Sequence, residues 1–226
     1  MELGGGCCSP VLDALHLELK RRIHLGDGPS GEGGGSIQFS IPSDSVSLYQ
    51  FLVKENCIYS MRNFIVKPVG NGLRVASHNF KLRFFVRTFV SMLSTDDFQF
   101  LRFRFTPYLE INGMCSNNDI FLIDRVGQVV GKEDPEDIIT KAGQSSKRMR
   151  LYLEDEEKNK MKCTLFGDFV AEAFIILEKE NIEKNIEPLV MVAQLFKPHV
   201  YLSDFCIQPS FYGSRVFFNP AFREVE

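Results

Sequence analysis

Tryptophan is absent from this chain, although phenylalanine occurs 21 times. Any flat aromatic surface the protein presents is therefore made of phenyl, phenol or imidazole rings. No apolar run reaches the roughly 18 to 20 residues that cross a bilayer as a helix, and the N-terminus lacks a basic stretch followed by an apolar one and a small-residue cleavage site. The six cysteines, Cys7, Cys8, Cys57, Cys115, Cys163 and Cys206, form no CxxC pair, and there is no N-x-[ST] sequon. Those absences argue against a zinc ribbon and a secreted disulfide scaffold, and leave buried thiols as the expectation. The P-loop, G-x-S-x-G and H-E-x-x-H patterns are missing, and His16, His24, His78 and His199 lack metal-ligand spacing. Gly26, Gly28 and Gly31 spell GxGxxG, but Pro29 lies inside the motif and charged sequence precedes it, whereas a phosphate cradle sits between a strand and a helix. The run Glu154-Asp155-Glu156-Glu157 falls in one predicted turn, not on two converging elements as paired catalytic carboxylates require. No enzymatic activity, cofactor, metal or membrane partner is expected.

What the chain does have is charge sorted by region. Its 226 residues carry a net charge of −3, yet 3 basic and 5 acidic residues fall in 1–36, 9 and 5 in 37–112, and 14 and 19 in 113–226, for partial charges of −2, +4 and −5. The middle section is basic, and compact basic spots persist in the acidic last section at Lys147-Arg148-Met149-Arg150 and Lys158-Asn159-Lys160-Met161-Lys162. A positive groove on a negative molecule is compatible with these numbers.

Three stretches differ in pattern. Residues 1–36 read as a tail: Ser9-Pro10 starts a short amphipathic helix with Leu12, Leu15, Leu19 and Ile23 on one stripe, and a Gly-rich linker follows from Gly26. Residues 37–112 open on a strand at 37–41. A mixed, helix-like stretch at 42–56 follows, then strands at 57–69 and 78–90 and a β-like segment at 98–105. Residues 113–226 predict strands at 120–130, 148–153 and 160–166, a helix at 168–185, and strands at 189–196 and 205–218. A mainly β chain with one helix between its third and fourth strands has the order of an OB-fold, a five-stranded Greek-key barrel whose open face commonly takes oligonucleotides. The expected architecture is a tandem of two such folds, the first incomplete: a partial one at 37–112 and a complete one at 113–226.

Alternation divides each strand into two faces. In 78–90, Phe80, Leu82, Phe84 and Val86 form an apolar set, and Lys81, Arg83, Phe85, Arg87 and Phe89 the other. In 148–153, Met149, Leu151 and Leu153 separate from Arg148, Arg150 and Tyr152; in 160–166, Cys163 and Leu165 separate from Lys162, Thr164 and Phe166. A single such face is ordinary for a solvated strand. Recurrence over three strands fits a single-strand groove, where cations meet phosphates and rings stack on bases.

Leu151-Tyr152-Leu153-Glu154-Asp155, Lys160-Met161-Lys162-Cys163-Thr164-Leu165-Phe166-Gly167-Asp168 and the closing Asn219-Pro220 resemble the second DNA-binding OB domain of the large subunit of replication protein A, in its plant-type relatives. Phe121-Leu122-Ile123-Asp124-Arg125-Val126-Gly127-Gln128-Val129 is similar to that domain's first strand. Leu52-Val53-Lys54-Glu55-Asn56-Cys57-Ile58-Tyr59 and Asn63-Phe64-Ile65-Val66 resemble the later part of the first DNA-binding domain, whose opening two strands have no counterpart before Ile37. The resemblance implies single-stranded DNA as partner, a role in DNA replication, repair or recombination, nuclear localisation, and association with other subunits of the same kind or with a partner of the N-terminal helix. It implies that Phe166 stands where the family usually has a base-stacking tryptophan, and that a second ring comes from His199, Tyr201 or Phe205. Together with Lys81, Arg83, Phe85, Arg87, Lys147, Arg148, Arg150, Lys162 and Thr164, the residues Phe166, His199 and Tyr201 make up the expected nucleic-acid contact set. The alternative is an OB module that binds protein, or a degenerate, transposon-related copy with weak or no nucleic-acid binding.

Overall fold

The computed structural model describes residues 19–24, 36–54, 57–70, 73–93, 103–114, 120–180, 188–201, 204–210 and 213–221. The first unit contains β1 (Leu19–His24), β2 (Ser36–Ile41), a one-turn 3-10 helix (Ser43–Ser45), α1 (Val46–Tyr49), β3 (Ile58–Arg62), β4 (Ile65–Pro68), β5 (Leu73–Arg74), β6 (Phe80–Arg83) and β7 (Phe89–Leu93). Its main sheet has the order β1-β2-β6-β4, with β2 and β6 parallel, and β3 pairs with β7. The core is small: Ile37, Phe39, Ile41, Tyr49, Leu82 and Phe84, with the rings of Phe39 and Phe84 stacked at 5.1 Å.

Two expectations change in this unit. The amphipathic helix expected across Leu19 and Ile23 is a strand, paired antiparallel with β2 from Leu19 opposite Ile41 to His24 opposite Ser36. A spacing of four residues keeps two side chains on one side of a strand as well as of a helix, and the ladder to β2 decides between them. The helix start at Ser9-Pro10, the linker at 26–35 and the segment 98–102 lie outside the described residues. The second change is in the strand expected at 78–90, which breaks after Arg83. The Thr88 hydroxyl donates to the Asn63 carbonyl at 2.8 Å and accepts the Phe85 N–H, while the Thr88 N–H donates back to the Phe85 carbonyl. Tyr49 clamps the turn from across the core, its hydroxyl lying 2.6 Å from the Phe85 carbonyl and 2.9 Å from that of Thr88.

Beyond this unit come α2 (Tyr108–Met114), β8 (Ile120–Phe121), β9 (Ile123–Lys132), β10 (Glu136–Ile139), β11 (Ser145–Glu154), β12 (Lys160–Phe166), α3 (Asp168–Glu180), β13 (Val190–Tyr201), β14 (Asp204–Pro209) and β15 (Arg215–Phe218). Strand β9 pairs with both β11 and β13, closing the ring β9-β11-β12-β14-β13. Pairing of β12 with β14 is parallel, the other ring contacts are antiparallel, and α3 lies between the third and fourth ring strands. This is the OB-fold barrel. Gly167, at φ +58, turns the chain from β12 into α3, which buries Val170, Ala173 and Leu177 at helical spacing in the same core as Leu151, Leu165, Met191 and Phe196.

On this frame the first unit is also legible. Strand β1 takes the place of the second OB strand, β2 of the third, β3 with β4 of the fourth and β6 with β7 of the fifth; the parallel β2–β6 pair matches β12–β14. One of the two opening strands expected to be missing is therefore supplied by residues 19–24. No described residue supplies the counterpart of β9.

The division expected at 112/113 falls inside α2, whose Ile111 is fully buried in the second core. Segment 103–107 packs there too: Phe103 meets Phe217 edge-on at 5.8 Å, and Arg104 N–H donates to the Asp124 carboxylate. That fully buried carboxylate also accepts the Leu195 N–H at 3.0 Å, holding a bulge in β13 where Leu195 adopts φ +54. At the far end of the barrel the Asn219 side chain accepts the Val190 N–H at 2.7 Å.

Candidate nucleic-acid interface

The registers place the expected residues in rows. Arg148 is opposite Phe166, Arg150 opposite Thr164, Tyr152 opposite Lys162 and Glu154 opposite Lys160. Between them Met149, Leu151, Leu153, Cys163 and Leu165 point into the core with at most 2% exposure. Burial pushes the Cys163 thiol far up from its ordinary range, with the neighbouring Cys206 acting in the same direction. The outward face of β11 and β12 thus joins Arg148, Arg150, Lys162, Thr164 and Phe166, as alternation predicts, whereas Lys147, expected among the contacts, alternates with Met149 to the other side of β11. Thr164 is buried on it, while Phe166 is half-buried beside the Gly167 turn.

His199 joins the same face from the far strand pair. Lys162 is in register with Cys206 on β14, and Cys206 with His199 on β13, so Tyr152, Lys162, Cys206 and His199 form one row across four strands. The alternate row, Cys163, Ile207 and Pro198, faces the core. By the same alternation, Lys197 and Gln208 belong to the outward set. Tyr201 is paired with Asp204 at the end of the β13–β14 hairpin, and its side chain lies outside the described residues.

In the first unit, Lys81 is opposite Gln38 on β2 and Lys67 on β4, and Arg83 is opposite Ser40 and Ile65. Leu82, between them, is buried. Lys81 and Arg83 therefore share a sheet face, as expected, and Lys67 joins them. Phe85 and Arg87 do not: the strand has ended, and both sit in the Thr88 turn, Phe85 half-buried and Arg87 exposed. The apolar set expected opposite them is divided as well, since Phe84 is fully buried while Phe80 and Val86 are exposed.

What the sequence pattern does not reveal is the partnering of the β11 cations. The segment after β9 runs back along the start of β11, with Glu136 in register with Arg148 and Asp137 with Lys147. Arg148 contacts Glu136 at 2.6 Å, Arg150 contacts Glu133 at 2.6 Å, and Lys147 lies 3.6 Å from Asp137. Tyr152 donates its hydroxyl to the second oxygen of Glu133, also at 2.6 Å. That bond and the one from Arg150 hold the Glu133 carboxyl below its usual range despite some burial, and the charges of Arg150 and Lys162 add to the effect. The same bond raises the Tyr152 hydroxyl above its ordinary value, with burial adding. Nothing in the spacing of Glu133 marks it as a partner of Arg150, 17 residues on.

A closed OB barrel with a cation-and-ring face over its second and third strands is the class that fold and site define. Residues 30–112 match the family model described as a domain of unknown function, DUF223. No curated protein matches the chain. Among solved structures, the chain is similar to one in a replication protein A heterotrimer bound to single-stranded DNA, at 18% identity and a TM-score of 0.47, over 97% of this chain and 53% of that one. It thus spans about half the length of that relative. It is similar to the OB domain of a Thermoplasma acidophilum protein (12% identity, TM-score 0.30, 42% of this chain and 72% of that one). A murine DNA-binding protein bound to double-stranded DNA is similar as well (10%, 0.43, 84% and 81%). The fold rests on the strand order and its registers, independently of these likenesses.

Proposed function

We propose that the chain binds single-stranded nucleic acid along the outward face of β11 and β12, by phosphate pairing and ring stacking. The observation that carries this reading is the paired row: Arg148, Arg150 and Tyr152 directly opposite Phe166, Thr164 and Lys162, over the face that OB barrels use for oligonucleotides. His199 extends the face across the β13–β14 hairpin, and Lys81, Arg83 and Lys67 supply a second cationic face on the first unit. A bound strand would lay phosphates against the guanidinium and ammonium groups, with bases stacked on Phe166 and Tyr152, a mode tolerant of sequence. Specialisation for single-stranded DNA, in a replication protein A-like role in replication, repair or recombination, is supported by the resemblance of 151–155, 160–168 and Asn219-Pro220.

The test is titration of the full chain with a fluorescein-labelled oligo-dT over a salt series. Binding should weaken linearly on a log–log plot, and Arg148→Glu/Arg150→Glu/Lys162→Glu should weaken it further and flatten the slope, each lost phosphate contact removing about 0.7 from it. A variant that melts like the parent and keeps its affinity and slope would refute the assignment of this face. A folded parent with no salt-dependent binding at all would favour the protein-binding alternative.

A further inference from the structure

We propose that the carboxylates of Glu133 and Glu136 are a built-in stand-in for phosphate: in the free protein they occupy the outward cations of β11, Arg150 and Arg148, and a nucleic-acid strand binds by taking their place. The proposal rests on the nucleic-acid reading of that face and adds its regulation.

The match is one carboxylate per cation on the outward face of β11, Glu133 on Arg150 and Glu136 on Arg148, while Asp137 pairs with Lys147, which alternates with Met149 to the other side of the strand. Glu136 also lies 3.8 Å from the second nitrogen of Arg150. Both acids come from one short segment, so a single stretch of chain covers the outward cations of the strand. Glu133 engages both its oxygens, one on Arg150 and one on the Tyr152 hydroxyl, and so also holds one of the rings a base would stack on.

The backbone of the segment is fixed independently of these side chains. Glu133 N–H donates to the Arg150 carbonyl at 2.8 Å, and β10 is laddered to β11 from Glu136 to Ile139. Exchange therefore needs only side-chain rotation, with the ribbon in place. Ion pairs this exposed are individually weak, so phosphates can compete; being tethered, the carboxylates compete at high effective concentration. A cation already paired within the chain has no mobile counter-ion to exchange. The salt dependence of binding should be shallower than the number of cations on the face implies.

The experiment compares the full chain with Glu133→Gln, with Glu136→Gln and with the double variant, using labelled oligo-dT across a salt series and a thermal melt of each. A control double, Glu110→Gln/Glu172→Gln, makes the same change in net charge at exposed positions on α2 and α3, away from β11. The expected result is several-fold tighter binding at low salt and a slope steeper by about 0.7 for each cation freed, roughly 1.4 for the double variant. The control should change little. The exposed Glu136 keeps the test open if Glu133→Gln disturbs folding. Weaker binding by the variants would overturn the proposal, because the carboxylates would then be holding the cations in place for the ligand. Unchanged affinity and slope, or equal tightening by the control, would overturn it too while leaving the binding face assigned. If neither parent nor variants bind and all melt normally, the nucleic-acid reading itself fails and this proposal with it.

Discussion

Arg125 and Asp155, 30 residues apart in the chain, meet at 2.7 Å with only 7% and 17% of their side chains exposed. Arg125 stands on β9 and also donates to the Thr106 carbonyl, and Asp155 receives the N–H and side-chain amide of Asn159 in the turn that links β11 to β12. One ion pair thus joins the closing strand of the barrel, the turn below the candidate face and the segment that leads into α2. The Arg125 Nε is buried without a partner, so its charge depends heavily on Asp155.

Removing one member of such a pair leaves the other buried and uncompensated, which typically costs about 3 to 5 kcal/mol, whereas replacing both with apolar groups costs far less. Asp155→Ala should lose roughly 3 kcal/mol in urea unfolding followed by circular dichroism, the chain having no tryptophan reporter. Arg125→Met/Asp155→Leu should recover part of that loss.

Acid should act through the same carboxyl. Burial pushes Asp155 up, but hydrogen bonds from Arg125 and Asn159 outweigh it and leave the group below its usual value. Glu133 is lowered too, by the Tyr152 and Arg150 bonds. A carboxyl depressed in the folded state lends its full stabilisation above its unfolded value, near pH 4, and loses it as pH falls through the folded one. Urea midpoints should be flat from neutral pH to about pH 5 and drop below about pH 4, and Asp155→Asn should show a smaller drop. A midpoint independent of pH down to about pH 3 would contradict the assignment.

Phe166 and Leu165 are adjacent and should behave oppositely. Leu165, fully buried, should cost about 2 to 5 kcal/mol of stability when changed to Ala. Phe166→Ala should melt close to the parent and lose about 1 to 3 kcal/mol of oligonucleotide binding, while Phe166→Trp should tighten binding through greater ring area. A Phe166→Ala protein that melts far lower and binds normally once folded would place the ring in the structure rather than the interface.

Tyr49→Phe keeps the ring in the first core and removes only the hydroxyl that meets the Phe85 and Thr88 carbonyls. A loss of about 1 to 2 kcal/mol is expected, chiefly from the Thr88 carbonyl, since the Phe85 carbonyl keeps the Thr88 N–H. Hydrogen exchange should show faster opening at 84–88.

The parts of this architecture legible in the sequence are those fixed by local alternation. Arg150 with Tyr152, and Lys162 with Phe166, separate from Leu151 and Leu165 by period alone, and the barrel places them so. The turn at Thr88 was hidden because it depends on Asn63 and Tyr49, 25 and 39 residues away, while the local pattern from Phe80 to Phe89 alternates without a break. Strand β1 was hidden because Leu19 and Ile23 fit either period. His199 was recoverable only as one of three candidate rings, since its place on the face follows from a register running through β14. Glu133 carried no signal: an acid in an acidic loop acquires meaning only when the chain folds back on Arg150.

The burial of Ile111 bears on how the chain can be divided. The helix that carries it is written ahead of the second barrel's first strand, in sequence that pattern alone groups with the preceding unit, yet its side chain fills the interior of the following one. A fragment begun at the apparent seam would leave a void in the second core and strip Arg125 of its Thr106 acceptor. The smallest transplantable piece of the second barrel accordingly starts ahead of Phe103, and a recombination point between the repeats would preserve both halves only upstream of that residue.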